Sequence, residues 1–398
     1  MITVQINTPN SNQTASFEQA TLSNRLKGSF PNLRNLLPTP SKPHKFQAVL
    51  PPIDLKIIIY CSIWYTFSAI SSNIAKDILR EFPHPTTFTE LQFLISTVFC
   101  ISTLFIINNN RSIIDKFPLG TFPTKDQFKL QHSTWNLIQP TEKIIKTTFA
   151  MGIFQFIGHI TSHKATHIIP VSLVHSVKAL SPLTTVFVYR ALFNVNYPIV
   201  TYFTLLPLIT GVILTCFSNK SSKSNVDFNK GLTYAFISMI IFVSQNIFAK
   251  NILTITPKSL PTINKQQEGK PQEDDAKIDK ITILLYCSII GFILTLPIYL
   301  ISEYSNPIFT LFELNPSIMF KLFLHGSSHF CQAMLAFHLL GLISPVNYSI
   351  ANILKRIVVI AMAIVWEGQS VNKFQGMGLL LTLVGLYSYD RWGIQKKK

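Results

Sequence analysis

Lys178, Lys355 and Arg356 lie deep inside apolar runs that hold no acid to pair with them. There is no Asp or Glu from Lys143 through Val226, and none from Pro316 through Trp366. A charge at mid-bilayer costs roughly 3 kcal/mol or more on insertion scales, so such a side chain usually faces a cavity and has a role. Snorkelling to a helix end accounts for Lys164, Arg190 and Lys250. It fits the other three poorly, since each stands about ten residues from the ends of its run. The acids available from other apolar segments, Asp77, Glu90 and Glu303, fall near predicted helix ends. Unpaired cations converging on one site define an anionic guest, phosphate or carboxylate, with a planar guanidinium suited to phosphate oxygens.

A second set of polar groups precedes Lys178. His159, His163 and His167 recur every four residues, with His175 following, so three imidazoles share one helical face if the helix persists that far. A metal ladder is one reading of that spacing. Missing carboxylates and the neighbouring Lys164 and Lys178 oppose it, and no metal or other cofactor is expected. The preferred reading gives His159 to the anion and leaves His163 and His167 at the helix end. Ser162, three residues on from His159, adds a hydroxyl on nearly the same face.

The elements that must position these residues are long apolar helices. Of the 398 residues 48% are hydrophobic and only 13% charged, unusual for surfaces that face water. The charges crowd into the first 50 residues, Asn108 to Lys146, Lys258 to Lys280 and the C-terminus, leaving runs of roughly 20 residues, the length a bilayer demands. Ten helices are predicted, at 55–76, 88–107, 145–163, 168–189, 198–217, 231–250, 281–302, 318–340, 346–366 and 373–390. The net charge of +16 raises nucleic acid as a partner, but most cations flank apolar spans, where the positive-inside rule places them and puts both termini in the cytosol. Five scattered cysteines, Cys61, Cys100, Cys216, Cys287 and Cys331, suggest neither a disulfide framework nor a metal knuckle. Walker, Gly-x-Ser-x-Gly and His-Glu-x-x-His patterns are absent, so no enzyme is expected.

The Pro-rich charged stretch 254–280 separates two sets of five predicted helices. Setting Pro170 on Pro345, 175 positions apart, also aligns Val171 with Val346 and His163 with His338, and brings Gly211 to within one position of Gly385. Copies of five helices enter from opposite sides, which is the inverted-repeat plan of secondary transporters. The expected fold is an all-α membrane protein of ten transmembrane helices in two inverted five-helix repeats. Its expected parts are a disordered basic tail at 1–50, repeats at 51–253 and 281–391, the polar linker at 254–280 and a basic tail at 392–398. A transit peptide is the alternative reading of the first tail. Pro170, Pro182 and Pro345 read as kinks within or beside spans.

These residues resemble the triose-phosphate translocators and their fungal endomembrane relatives, in the drug/metabolite transporter superfamily, over about residues 55–390. Trp64-Tyr65 with Asn73 and Lys76 resembles the first-helix pattern, and Gly158-His159 followed by Val171 through Pro182 the fourth. Ser344-Pro345-Val346 through Asn352, Lys355, Arg356 and Ile357 to Ile360 resembles the ninth, and Gly385-Leu386-Tyr387-Ser388 the tenth. The resemblance implies that Lys178, Lys355 and Arg356 grip a substrate phosphate, helped by His159 and Ser162, and that a small phosphorylated metabolite exchanges for inorganic phosphate. Gln332 stands where the family has a tyrosine beside the substrate, and Asn347-Tyr348 replace a Thr-His pair, so the organic half of the substrate stays open. The resemblance also implies a multi-pass protein of the endoplasmic reticulum or Golgi, with the lipid bilayer as a partner and homodimerisation open. A nucleotide-sugar transporter and a non-transporting membrane trafficking factor are the competing functions.

Overall fold

The computed structural model describes residues 55–117, 120–123, 139–194, 196–220, 225–253, 278–343, 345–368 and 371–393. The expected tail at 1–50 lies outside the described residues, as does most of the linker at 254–280 and of the tail at 392–398. Every regular element described is helical. The α-helices are α1 (Leu55–Glu81), α2 (Pro85–Asn109), α3 (Glu142–Ile168), α4 (Val171–Lys178), α5 (Ser181–Phe193), α6 (Ile199–Lys220), α7 (Asn225–Leu253), α8 (Lys280–Tyr304), α9 (Pro316–Leu342), α10 (Pro345–Trp366) and α11 (Lys373–Ser388). A short π-helical turn, Tyr389–Gly393, extends α11.

Among the described residues six segments are long and apolar enough to cross a membrane: α1, α2, Val171–Ala191 across α4 and α5, α6 up to Phe217, Val226–Ala249 in α7, and α8. Large apolar side chains cover their outer faces, Phe187 and Phe217 at 69% exposure and Ile301 at 70%. Such a surface is a liability in water and normal against lipid, where backbone groups must be satisfied within the helix. The chain is an all-helical, multi-pass membrane protein.

Local chemistry sets the helix ends. Thr141, Asp279 and Asn315 are N-caps whose side chains accept from the backbone N–H three residues on, at 3.3, 3.0 and 2.8 Å, satisfying donors that the first turn leaves free. Several helices therefore begin or end a few residues beyond the apolar runs, as α3 does at Glu142 and α7 at Asn225.

The predicted single helix at 168–189 is corrected by the structure: α3 continues to Ile168, and α4 and α5 are separated by Ala179 and Leu180. Ile169 is extended ahead of Pro170, at φ −113° and ψ 161°, since the pyrrolidine ring excludes the helical conformation before it. The second break follows from Pro182, which has no N–H to offer the Lys178 carbonyl four residues back. Ala179 and Leu180 instead bond into the last turn of α4, Leu180 N–H donating to Val177 O at 3.0 Å. Lys178 is thus the last residue of a short half-helix, with its carbonyl outside the regular ladder.

Helices meet most closely at small residues, as expected where packing rather than hydrophobicity drives association within lipid. At the crossing of α6 with α11, a methyl group on Gly211 would strike the backbone of Gly378 and Thr382, and one on Gly385 the backbone of Leu208. Gly158 accepts the Phe242 ring of α7 and Gly291 the Phe93 ring of α2. The α1 helix packs on α9 and α10, α3 on α7 and α8, and α4 on α10 and α7. Faces of α1, α2, α3, α4, α9 and α10 therefore surround one interior region.

Candidate anion-binding site

Two capping interactions hold α4, and hence Lys178, in place. The buried Lys76 of α1 donates from Nζ to the carbonyls of Thr166 at 2.6 Å, Ile169 at 3.0 Å and His167 at 3.3 Å. A cation there satisfies orphan carbonyls at the negative end of the α3 dipole. Glu367, just past α10, accepts from the Val171 N–H at 2.9 Å and so caps the positive end of α4. This acid is consumed by a helix terminus and ties α4 to α10, the helix bearing the other two cations.

Lys178 Nζ donates to Ser162 Oγ at 2.6 Å and lies 5.2 Å from the centre of the Phe242 ring. Lys355 Nζ stands 4.5 Å from the Trp64 ring, which is itself stacked on Tyr348 at 5.6 Å. An aromatic face is a weak partner for a cation that has no carboxylate. Lys178 ends α4, and Lys355 and Arg356 stand on α10, against which α4 packs. All three cations are half-buried. Ion pairs among the described residues include His84 with Glu313, Lys146 with Glu142 and Lys321 with Glu81, and none of these includes a site cation. The acids weighed from sequence are elsewhere: Asp77 accepts from Trp366 Nε1 at 2.9 Å, Glu303 accepts from Thr310 Oγ1 at 2.8 Å, and Glu90 is buried without a partner.

His159 belongs to this region too. Its ring touches Phe93 and Phe242, the aromatic that also carries Lys178. His175 shares the last turn of α4 with Lys178. His163 and His167 diverge: His163 Nδ1 meets Thr89 Oγ1 at 2.9 Å, and His167 Nδ1–H donates to the Leu79 carbonyl at 3.1 Å. The three imidazoles share a helix without sharing a task. No group of three or more His, Cys, Asp or Glu side chains among the described residues is arranged to hold a metal.

Residue-by-residue reading of the sequence passed over Gln92 of α2 and His325 and His329 of α9, which join His159 around one side-chain amide. The i,i+4 spacing of His325 and His329 repeats that of His159 and His163 and was the available signal. Trp64 stood out in the sequence only as part of the first-helix resemblance, with nothing to place it under Lys355. Gln332 is half-buried on α9, and Tyr348 serves as the outer layer of the Trp64 stack.

This multi-pass bundle carries Lys178, Lys355 and Arg356, none of them in a described ion pair, with a hydroxyl and an imidazole on the packed helices α3, α4 and α10. The chain belongs to the triose-phosphate transporter family, whose model matches residues 55–390. It is 49% identical over 383 residues to an uncharacterized transporter of Saccharomyces cerevisiae, covering 89% of this chain and 84% of that protein. It is 39% identical over 334 residues to a putative transporter of Schizosaccharomyces pombe, covering 84% of this chain and 66% of that one. The chloroplastic triose phosphate/phosphate translocator of Zea mays is 23% identical over 347 residues, covering 84% of this chain and 72% of its own.

Proposed function

We propose that this protein exchanges a small phosphorylated metabolite for inorganic phosphate, binding the phosphate between Lys178, Lys355 and Arg356 with His159 and Ser162 as further donors. The observation that carries this reading is that α4, which ends at Lys178, packs on α10, which bears Lys355 and Arg356, and that none of the described ion pairs includes these cations. A phosphate dianion neutralises most of that charge and accepts charge-assisted hydrogen bonds from every group named. Its planar fork suits Arg356 to two phosphate oxygens at once. The name printed for the maize relative, a triose phosphate/phosphate translocator, supports the same substrate class.

Exchange rather than free release follows from the electrostatics. An empty site leaves like charges facing one another, and closing it away from water raises that cost. The loaded carrier therefore changes orientation faster than the empty one. For the architecture we infer ten spans in two inverted five-helix repeats, with the broken α4–α5 and the Lys-Arg helix α10 on opposite sides of the repeat relation. Breaks next to the aligned Pro170 and Pro345 support that plan. The parts are then repeats at 51–253 and 281–391 joined by the linker 254–280, with tails at 1–50 and 392–398. Lys and Arg at the termini favour cytosolic ends, and an endoplasmic reticulum or Golgi membrane is the inferred location.

Purified protein in proteoliposomes loaded in turn with phosphate, a triose phosphate and a nucleotide sugar tests the reading. Uptake of labelled phosphate driven by the first two and not the third is expected. Uptake driven only by the nucleotide sugar would replace this function with that alternative. No uptake with any of them, by correctly inserted protein, would favour a trafficking role.

A further inference from the structure

The reading above uses His159 and leaves the imidazoles beside it without a task. His325 is the ring whose hydrogen can be placed first. Its Nδ1 is 2.9 Å from the Ser71 carbonyl oxygen, which can only accept, so Nδ1 carries a hydrogen. The other nitrogen, Nε2, faces Gln92 Oε1 at 3.3 Å. The amide nitrogen Nε2 of Gln92 faces His159 Nδ1 at 3.3 Å and His329 Nε2 at 3.4 Å. One end of a primary amide only accepts and the other only donates, so what it offers His325 it reverses for the other two rings.

Two arrangements satisfy all these contacts. In the first, the amide NH₂ donates to a lone pair on His325 Nε2, and its carbonyl accepts from His159 Nδ1–H and His329 Nε2–H. All three rings are neutral. In the second, His325 has taken a proton from water onto Nε2 and donates it to the amide carbonyl. The NH₂, in the orientation the structure shows and opposite to that of the first arrangement, then donates to lone pairs on His159 Nδ1 and His329 Nε2. These two rings still hold one proton each, now on the other nitrogen. The arrangements differ by one proton and by what His159 shows on its far side: Nε2 is a lone pair in the first and an N–H donor in the second.

An anion needs the donor. His159 Nε2 has no protein partner among the described contacts, and the ring lies within electrostatic reach of Lys178. We propose that Gln92, with His159, His325 and His329, forms a proton-binding site that takes up one proton for each anion bound beside Lys178. This rests on the anion site proposed above. The groups facing the cluster agree with it. Ser71 comes from α1, Phe88 and Thr89 from α2, and His163 from α3. Lys178 of α4 acts on His159 and His163, and Lys355 of α10 on His329. No described carboxylate is among the groups acting on these rings. A proton added to this cluster is therefore disfavoured when the site is empty, through the lysines beside His159, His163 and His329, and tolerated once a dianion offsets them. In exchange the proton travels with the anion both ways, so pH acts on affinity and rate without net proton flux.

Calorimetric titration of the purified full chain with sulfate, in buffers of unequal ionisation enthalpy, counts the protons. Sulfate stays a dianion across the pH range in which imidazoles titrate, so any proton taken up belongs to the protein. Uptake approaching one proton per sulfate is expected, with affinity falling up to about tenfold per pH unit as pH rises, as linkage requires. Gln92→Met should bind sulfate more weakly, without proton uptake and with a flat pH profile. His325→Asn, which keeps a donor for the Ser71 carbonyl and loses the second titrating nitrogen, should do the same. Sulfate binding by the unaltered protein with no proton uptake overturns the proton site and leaves the anion site standing. Failure to bind sulfate or phosphate at any pH overturns both. Full uptake retained in either variant assigns the proton to Lys178 or Lys355 and overturns the role of the amide.

Discussion

Replacing Ser162 by alanine should weaken phosphate binding while leaving the bundle folded. The neighbouring Thr161 spends its hydroxyl hydrogen on the Ile157 carbonyl at 2.6 Å. Ser162 makes no such back-bond among the described contacts. Its oxygen accepts from Lys178 Nζ at 2.6 Å, which leaves its single hydrogen free to donate to a ligand held by that lysine. A hydrogen bond to a charged group contributes about 1.5–3 kcal/mol, and each 1.4 kcal/mol is tenfold in affinity, so Ser162→Ala should raise the phosphate Kd by about 10- to 100-fold. Ser162→Thr keeps the hydroxyl and should stay within about threefold of the parent, since only a methyl group is added. Combining Ser162→Ala with Lys178→Gln should cost less than the sum of the two, because both act on the same bound oxygen atoms. Titration of the purified proteins with phosphate gives these constants. An unchanged Kd in Ser162→Ala would refute the reasoning. A Thr variant as weak as the Ala variant would show that the site responds to packing at this position and not to the hydroxyl.

Trp64→Leu removes the ring 4.5 Å from Lys355 Nζ; loss of about 0.5–2 kcal/mol of cation–π attraction should weaken phosphate binding about 3- to 30-fold, and wild-type affinity would remove Trp64 from the site. Lys76→Met leaves the carbonyls of Thr166, His167 and Ile169 without their ammonium donor. Orphaned acceptors at about 1–3 kcal/mol each outweigh the relief of a buried charge that was fully hydrogen-bonded, so the melting temperature in detergent should fall, and a rise would contradict the capping role. Gly385→Val drives a side chain into the Leu208 backbone and should abolish monodisperse protein on size exclusion, whereas Gly376→Ala, whose nearest neighbour is a Val371 methyl at 3.7 Å, should not.

The legible part of this molecule was its charge. A lysine in an acid-free apolar run is rare enough to stand out alone, and the helices bearing Lys178 and the Lys355–Arg356 pair do pack on one another. Ser162 was readable because helical spacing put it beside His159, and it turned out to receive the Lys178 ammonium. The helices were readable as apolar runs, but their ends were set by caps and prolines that lie outside such runs, as at Thr141 and Asp279. Pro182 was visible as a kink. That it ends α4 at Lys178 follows only once the missing N–H is traced to the Lys178 carbonyl. Gln92 was not legible: a glutamine in an apolar helix says nothing until α3 turns one imidazole and α9 two toward it. Likewise Glu367 looks like a surface acid after α10, and only the packing of α10 on α4 shows that it caps Val171.

The central claim is that Lys178, Lys355 and Arg356 together bind the phosphate that this carrier exchanges. The most direct measurement is uptake of labelled phosphate into proteoliposomes preloaded with unlabelled phosphate, for the unaltered protein and for Lys178→Gln, Lys355→Gln and Arg356→Gln at matched insertion. The account predicts rapid uptake that needs internal phosphate in the first, and near-complete loss in each variant. Any one of the three exchanging at the unaltered rate would contradict it.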